Sequence, residues 1–171
     1  PAEGATPEPG RSQITLDGGG TIWRSPGFDA GHAAVFSFAL EDDGYAGIFI
    51  EQGTAGFDDW RRWEVMVQRS GTRVEVSDGT GTFADHLFPA APTIDDGVAF
   101  SVLVGLDTEG TFMAALWPTA APEEMQVVAP RPLNAEWGPL QPYWTPGVAL
   151  VDGTIALTSY YQFSFEGFAN L

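Results

Sequence analysis

The sequence contains no cysteine and no lysine, only two histidines and three methionines, and no long hydrophobic run. The absence of cysteine excludes disulfides, thiolate metal sites and cysteine nucleophiles. No apolar run reaches the roughly 18 residues that a membrane-spanning helix needs. The two histidines, His32 and His86, lie outside any nucleophile motif such as G-x-S-x-G, which disfavours triad chemistry.

The charge balance is strongly acidic. Seven arginines stand against 23 acidic residues, which gives a formal net charge of −16. Such a surface repels nucleic-acid phosphates and anionic lipid headgroups, so we predict no nucleic-acid binding and no direct membrane insertion. With 171 residues, of which 44% are hydrophobic, the chain is long enough for one domain, and its 12 Phe and 6 Trp predict an aromatic-rich core.

Short runs of alternating, β-branched and aromatic residues follow one another along the chain, each bounded by Gly, Asp or Pro. No window shows a helical period, and residues 119–126 could form one helical turn at most. The predicted strands are 13–16, 20–24, 33–40, 45–52, 60–69, 72–77, 82–88, 98–106, 110–117, 147–151 and 154–166. Pairs such as Asp43-Gly44, Glu109-Gly110 and Asp152-Gly153 predict hairpin turns between strands. This pattern indicates an all-β antiparallel sandwich or barrel.

The domain organisation follows from composition. Residues 1–11 (PAEGATPEPGR) have no apolar periodicity and are predicted to be a Pro-rich linker or tail, and residues 12–171 form the β-sandwich domain. The tail could pack on its own domain or on a neighbouring molecule, so self-assembly through it is one expected kind of interaction. The chain begins at Pro1 rather than Met, so we expect a processed chain, with a removed signal peptide or an upstream anchor.

Four stretches carry a resemblance to a known family. They are AVFSFALEDDGYAGIFIEQ (34–52), WRRWEVMVQRSGTRVEVSDG (60–79), GTFMAALWPTAAPEEMQ (110–126) and GVALVDGTIALTSYYQFSFEGF (147–168). Together they resemble the concanavalin A-like lectin/glucanase jelly roll in its laminin-G-like form. The resemblance implies an antiparallel two-sheet jelly-roll sandwich and a recognition or assembly role outside the cytoplasm, at the cell surface or beyond it. Glu166 and the segment 16–20 depart from the family pattern where it holds a structural Ca²⁺.

Catalytic and metal-binding patterns are weak. A glycosidase needs two carboxylates about 5–9 Å apart, and the E-x-D-x-x-E strand of the glucanase members is absent. The acidic pairs, among them Asp58-Asp59 and Asp95-Asp96, fall at predicted turns, so we predict that the chain is not an enzyme. Asp42 and Asp43 are the named candidates for a metal site, because loop carboxylates suit Ca²⁺, although the D-x-D-x-D-G ladder is missing. Calcium is the one cofactor that we consider.

The long Pro-rich segment 118–146 is the strongest candidate for a binding site. Sugars stack on exposed aromatic rings while amides and carboxylates bind their hydroxyls. The candidate ligand-binding residues are Asn134, Glu136, Trp137, Gln141, Tyr143 and Trp144. The alternative is that this loop folds back and its rings cap an open end of the sandwich. Trp63, Trp117 and Phe163 are predicted to be core residues, whereas Tyr160 and Tyr161 should point to opposite faces.

Two functions follow from these features. The first is a non-catalytic extracellular β-sandwich that recognises a carbohydrate or glycoconjugate through loop 131–146 and one sheet face. The alternative is a structural or assembly domain of a surface layer, filament or receptor ectodomain that binds protein partners.

Overall fold

The computed structural model describes residues 14–17, 20, 22–53, 61–68, 71–78, 83–87, 94, 97–127 and 143–164, with only the backbone of 14–17, 42–44, 71–78 and 83–87. The strands are β1 Ile14–Asp17, β2 Ile22–Arg24, β3 His32–Gln52, β4 Arg61–Gln68, β5 Gly71–Asp78, β6 Phe83–Leu87, β7 Ala99–Leu106, β8 Phe112–Pro118, β9 Gln126–Val127 and β10 Thr145–Ser164. A 3-10 turn over Pro122–Glu124 lies within 119–126, where at most one helical turn was expected. None of the described residues belongs to a helix long and apolar enough to cross a membrane.

All strand pairs are antiparallel, and two long strands hold the fold together. β3 pairs with β10 along almost its whole length, while its other edge pairs first with β7 and then with β4. The free edge of β10 is occupied by β2 near its start and by β1 further along. We call the half that contains β2, β4, β5 and β6 the front sheet, and the half that contains β1, β7, β8 and β9 the back sheet.

The sequence prediction divided each long strand in two, and this was wrong. Residues 33–40 and 45–52 form one strand, and so do 147–151 and most of 154–166. Asp43-Gly44 and Asp152-Gly153 therefore lie inside strands instead of forming hairpin turns. The register between β3 and β10 shifts on both sides of Asp152, and Gly153 has a φ of +70°. The turn residues thus make a bulge at which both strands pass from one sheet to the other.

The core lies between the two sheets and is built from alternate residues of each strand. Trp63 on β4 stacks on Phe112 of β8, with ring centroids 4.6 Å apart, which shows that the front sheet lies over the back sheet. Trp23 on β2 meets Tyr160 on β10 edge-on at 5.1 Å. The prediction that Trp63 is a core residue and the prediction of an aromatic-rich core are confirmed.

The outward side of the back sheet carries a second, smaller apolar cluster. Trp117, Val35 and Ala115 are buried there, with Leu103 and Phe163 packed against them. Trp117 was predicted as a core residue and is buried, in this cluster and not between the sheets, whereas Phe163, also predicted as core, is only partly buried. Tyr160 faces the main core while Tyr161 points outward with 51% of its surface exposed, as the alternation of strand residues predicts.

Candidate binding face of the front sheet

Only two of the six predicted ligand-binding residues belong to the described part of the chain. Asn134, Glu136, Trp137 and Gln141 lie outside the described residues, whereas Tyr143 and Trp144 lie just before β10.

Trp144 was predicted to contact a ligand, and the structure corrects this. Its side chain is 1% exposed and belongs to the main core. Its backbone N–H donates to the carbonyl oxygen of Phe28 at 2.8 Å, and its own carbonyl accepts from Phe28 at 2.7 Å. A ring buried this deeply cannot stack on a sugar. At this position the alternative, in which an aromatic residue closes the sandwich, describes the structure.

Tyr143 points the opposite way and is 56% exposed. Its hydroxyl accepts a hydrogen bond of 3.2 Å from the backbone N–H of Gly27. A Cβ atom added to Gly27 would lie 2.7 Å from Cζ of the tyrosine ring, so this ring lies directly against the glycine backbone. The tyrosine is therefore held at its hydroxyl and along its ring, and the next residue, Trp144, is fixed by its backbone bonds to Phe28, while more than half of the tyrosine surface remains open to solvent.

A row of alternating charges crosses the same outward side of the front sheet, and we call it the charged row. Its members are Arg24, Glu51, Arg62 and Glu64. Arg24 Nε on β2 lies 2.6 Å from Glu51 Oε1 on β3, and Glu51 Oε2 lies 2.7 Å from Arg62 Nη2 on β4. Arg62 also approaches Glu64, with Nη1 and Oε2 3.6 Å apart. The side chains of Glu51 and Arg62 are 6% and 10% exposed, while that of Arg24 is 45% exposed. The charges thus run from a buried carboxylate to an accessible guanidinium.

Glycines make room for this arrangement. Arg24 lies opposite Gly147, and Gly147 lies opposite Phe49, so the three residues are lateral neighbours on β2, β10 and β3. A Cβ atom on Gly147 would lie 2.5 Å from Cζ of Phe49, which shows that the phenyl ring leans over β10. The guanidinium of Arg62 lies 4.1 Å from the centre of the same ring. The bare backbone of Gly147 therefore allows side chains from β2 and β3 to meet above β10.

The register places Tyr143 and the charged row on one side of β10. Trp144 and Val148 face the core, so Tyr143, Thr145 and Gly147 face outward by alternation. Thr145 lies opposite Glu51, which holds the guanidinium of Arg24. Thr145 and Tyr143 are two residues apart, which corresponds to roughly 7 Å along an extended chain. We call the outward side formed by Tyr143, Thr145, Arg24 and Glu51 the binding face.

The predicted metal ligands are not tested by this geometry. The backbone of Asp42 and Asp43 belongs to β3 instead of the predicted turn, and the structure does not describe their side chains. Among the residues with described positions, no three His, Cys, Asp or Glu side chains form a metal-binding group. Calcium binding stays a prediction.

No protein-family model matches the sequence. Several solved structures share the fold, at low sequence identity. The carbohydrate-binding module CBM66 from Bacillus subtilis is 11% identical over 90% of this chain and 96% of its own, with a TM-score of 0.58. Sheep galectin-11, in complex with glycerol, is 11% identical over 85% of this chain and 98% of its own, with a TM-score of 0.53.

An enzyme shares the fold as well. An alginate lyase from Pseudomonas aeruginosa is 14% identical over 80% of this chain and 68% of its own, with a TM-score of 0.57. At these identities the similarity establishes the fold and nothing finer. The chain is an antiparallel jelly-roll β-sandwich of the kind found in galectins and carbohydrate-binding modules, as predicted, and this fold supports both binding and catalysis.

Proposed function

We propose that this chain is a non-catalytic, extracellular β-sandwich that binds carbohydrate on the binding face of the front sheet. One observation carries the proposal. Tyr143 is an aromatic side chain that is 56% exposed, yet it is held in place by Gly27. An exposed ring that is already ordered loses little conformational entropy when a sugar stacks on it, so binding retains more of the favourable contact energy.

Polar groups beside the ring suit the hydroxyls of a sugar. Arg24 presents N–H donors, and Thr145 presents a hydroxyl that can donate and accept. Glu51 fixes the guanidinium through a bond of 2.6 Å. An apolar ring next to a few oriented polar groups is the usual composition of a small-molecule site. The carbohydrate-binding module and the galectin that share this fold lend further support to a carbohydrate ligand.

The arrangement of carboxylates supports binding without catalysis. Glycoside hydrolysis needs one carboxyl to deliver a proton and another to act on the sugar from a short distance. Glu51 and Glu64 are the carboxylates that join the arginines across this side of the sheet, and both contact Arg62. They are 5% and 8% exposed, so neither presents an accessible carboxyl to a ligand. We assign them the structural task of holding the arginines.

The experiment is a glycan array with the purified chain, followed by calorimetry on the oligosaccharides that bind. Tyr143→Ala should weaken binding roughly 5-fold to 150-fold, because a contact aromatic ring contributes about 1–3 kcal/mol. Tyr143→Phe keeps the ring and should retain most of the affinity. The matched control is Tyr161→Ala, which removes a tyrosine of similar exposure from the back sheet. If Tyr143→Ala and Tyr161→Ala bind equally well, the proposed site is wrong.

Assembly with a protein partner is the second candidate, and the outward side of the back sheet favours it. Exposed Tyr161 lies beside the apolar cluster of Trp117 and Phe163, its ring centroid 6.2 Å from that of Phe163. Sedimentation of the purified chain tests this function. Self-association that Tyr161→Glu abolishes, together with an empty glycan array, would replace the carbohydrate proposal by the assembly function.

A further inference from the structure

Arg24 is the exposed end of the charged row, and its orientation is fixed from inside the protein. Its Nε donates to Glu51 Oε1 at 2.6 Å, and Glu51 is held in turn by Nε and Nη2 of Arg62, at 3.1 and 2.7 Å. Because Glu51 and Arg62 are both buried, neither can readily move toward solvent. The guanidinium of Arg24 is thus anchored through one nitrogen by a carboxylate that is itself immobile.

The remaining nitrogens of Arg24 are available to a ligand. Its two terminal nitrogens make no hydrogen bond with any residue in the described part of the chain, and its side chain is 45% exposed. A guanidinium is planar and presents parallel N–H groups that match the two oxygens of a carboxylate. Glu51 already occupies the Nε side, so the terminal pair is the part of the fork that can bind a second anion.

The position of Arg24 places this anion beside the proposed sugar platform. Arg24 lies opposite Gly147 and reaches over β10 to Glu51, which is level with Thr145. The guanidinium therefore lies above the stretch of β10 that directly follows Tyr143. One oligosaccharide could stack a ring on Tyr143 and extend a substituent to Arg24.

We propose that the ligand of the binding face is an acidic oligosaccharide, whose carboxylate pairs with the terminal nitrogens of Arg24. This inference rests on the proposed function and adds the chemical class of the sugar. The net charge of −16 further restricts that class, because a polyanion would be repelled by the protein as a whole. The ligand is thus a glycan with widely spaced carboxylates, such as a neutral chain that carries single uronic acid units.

The test uses pairs of oligosaccharides that differ only in whether the uronic acid is free or methyl-esterified. The wild-type chain should bind the free acid about tenfold more tightly or better, the difference expected for a hydrogen bond to a charged group. Arg24→Gln should bring the two affinities together, and Arg24→Lys should keep part of the preference. Arg61→Gln is the control, because it also removes one positive charge but lies on the side of β4 that carries Trp63, away from the binding face. It should leave the preference for the free acid intact.

Tyr143→Ala separates this inference from the proposed function. It should weaken both the acid and the ester, because stacking does not depend on the carboxylate. Equal binding of acid and ester by the wild-type chain would overturn the acidic-sugar inference and leave the proposed function standing. A preference for the acid that survives in Arg24→Gln would also overturn it. Binding of neither compound, nor of any glycan on the array, would overturn both.

Discussion

Glu51 is the centre of the charged row, and its removal should destabilise the fold more than removal of its exposed partner. Glu51→Ala leaves the guanidinium of Arg62, which is 10% exposed, without its bond of 2.7 Å. Loss of one partner from a buried ion pair costs about 3–5 kcal/mol. Glu64 also approaches Arg62, at 3.6 Å, and offsets part of this cost. We therefore expect the lower end of the range, about 3 kcal/mol.

Urea denaturation followed by tryptophan fluorescence measures this change directly. In a thermal melt, a loss of about 3 kcal/mol in unfolding free energy should lower the Tm of a chain of this length by roughly 6–12 °C. Arg24→Ala is the matched control, because it removes the other partner of Glu51 at a position where water can reach the charges. It should cost about 1 kcal/mol or less. Equal losses for the two variants would refute the view that burial determines the strength of this row.

A double replacement tests the physical reason for the loss. Replacing both Glu51 and Arg62 with apolar residues of similar size removes the unpaired buried charge, and such replacements are often neutral or stabilising. Glu51→Leu with Arg62→Met should therefore recover part of the stability that Glu51→Ala loses, because Glu64 gives up its contact of 3.6 Å with Arg62 in the double variant. If the double variant were as unstable as the sum of the two single variants, the loss would come from packing and not from an unpaired charge.

Three further changes test the fold around the binding face. Gly147→Ala should cost about 1–3 kcal/mol, because its Cβ would lie 2.5 Å from both Phe49 and a backbone oxygen; a urea midpoint unchanged from wild type would contradict this. Trp144→Ala should lower the free energy of unfolding by about 3–5 kcal/mol because it truncates a buried aromatic residue, whereas Tyr143→Ala should lower it by about 1 kcal/mol or less. Thermal melts in which Tyr143→Ala is the less stable variant would contradict this. Burial raises the pKa of Tyr160, so the unfolded chain releases this proton first and stability should fall as pH rises above about 10; urea titrations from pH 8 to 11 should show this slope reduced in Tyr160→Phe.

Local sequence patterns predicted most of the strands, but they did not predict where a strand continues through a turn signal. The pair Glu109-Gly110 was predicted as a turn and is one. Gly110 has a φ of +82°, and its N–H donates to the carbonyl of Asp107. Asp152-Gly153 carries the same signal, but the neighbouring strand β3 extends past it and supplies partners on both sides. The choice between a hairpin and a bulge therefore depends on residues more than a hundred positions away, which local patterns do not contain.

The binding face was predictable only in part for the same reason. An aromatic residue in a Pro-rich loop led to Tyr143, but the same argument selected Trp144, which the structure buries. The two residues are adjacent, so their side chains point to opposite sides of the sheet, and the register of β10 decides which ring points outward. Arg24, Glu51 and Arg62 were not identified as site residues, although each lies in a segment that was predicted to be extended. Their proximity depends on the pairing of β2, β10, β3 and β4, which the spacing along one chain does not reveal.

A crystal structure of the chain with an oligosaccharide selected on the glycan array would show directly where the ligand binds. We expect a sugar ring stacked on the exposed side of Tyr143, with the rest of the ligand extending toward Arg24. A ligand bound instead on the back sheet, against Tyr161 and Trp117, would contradict it.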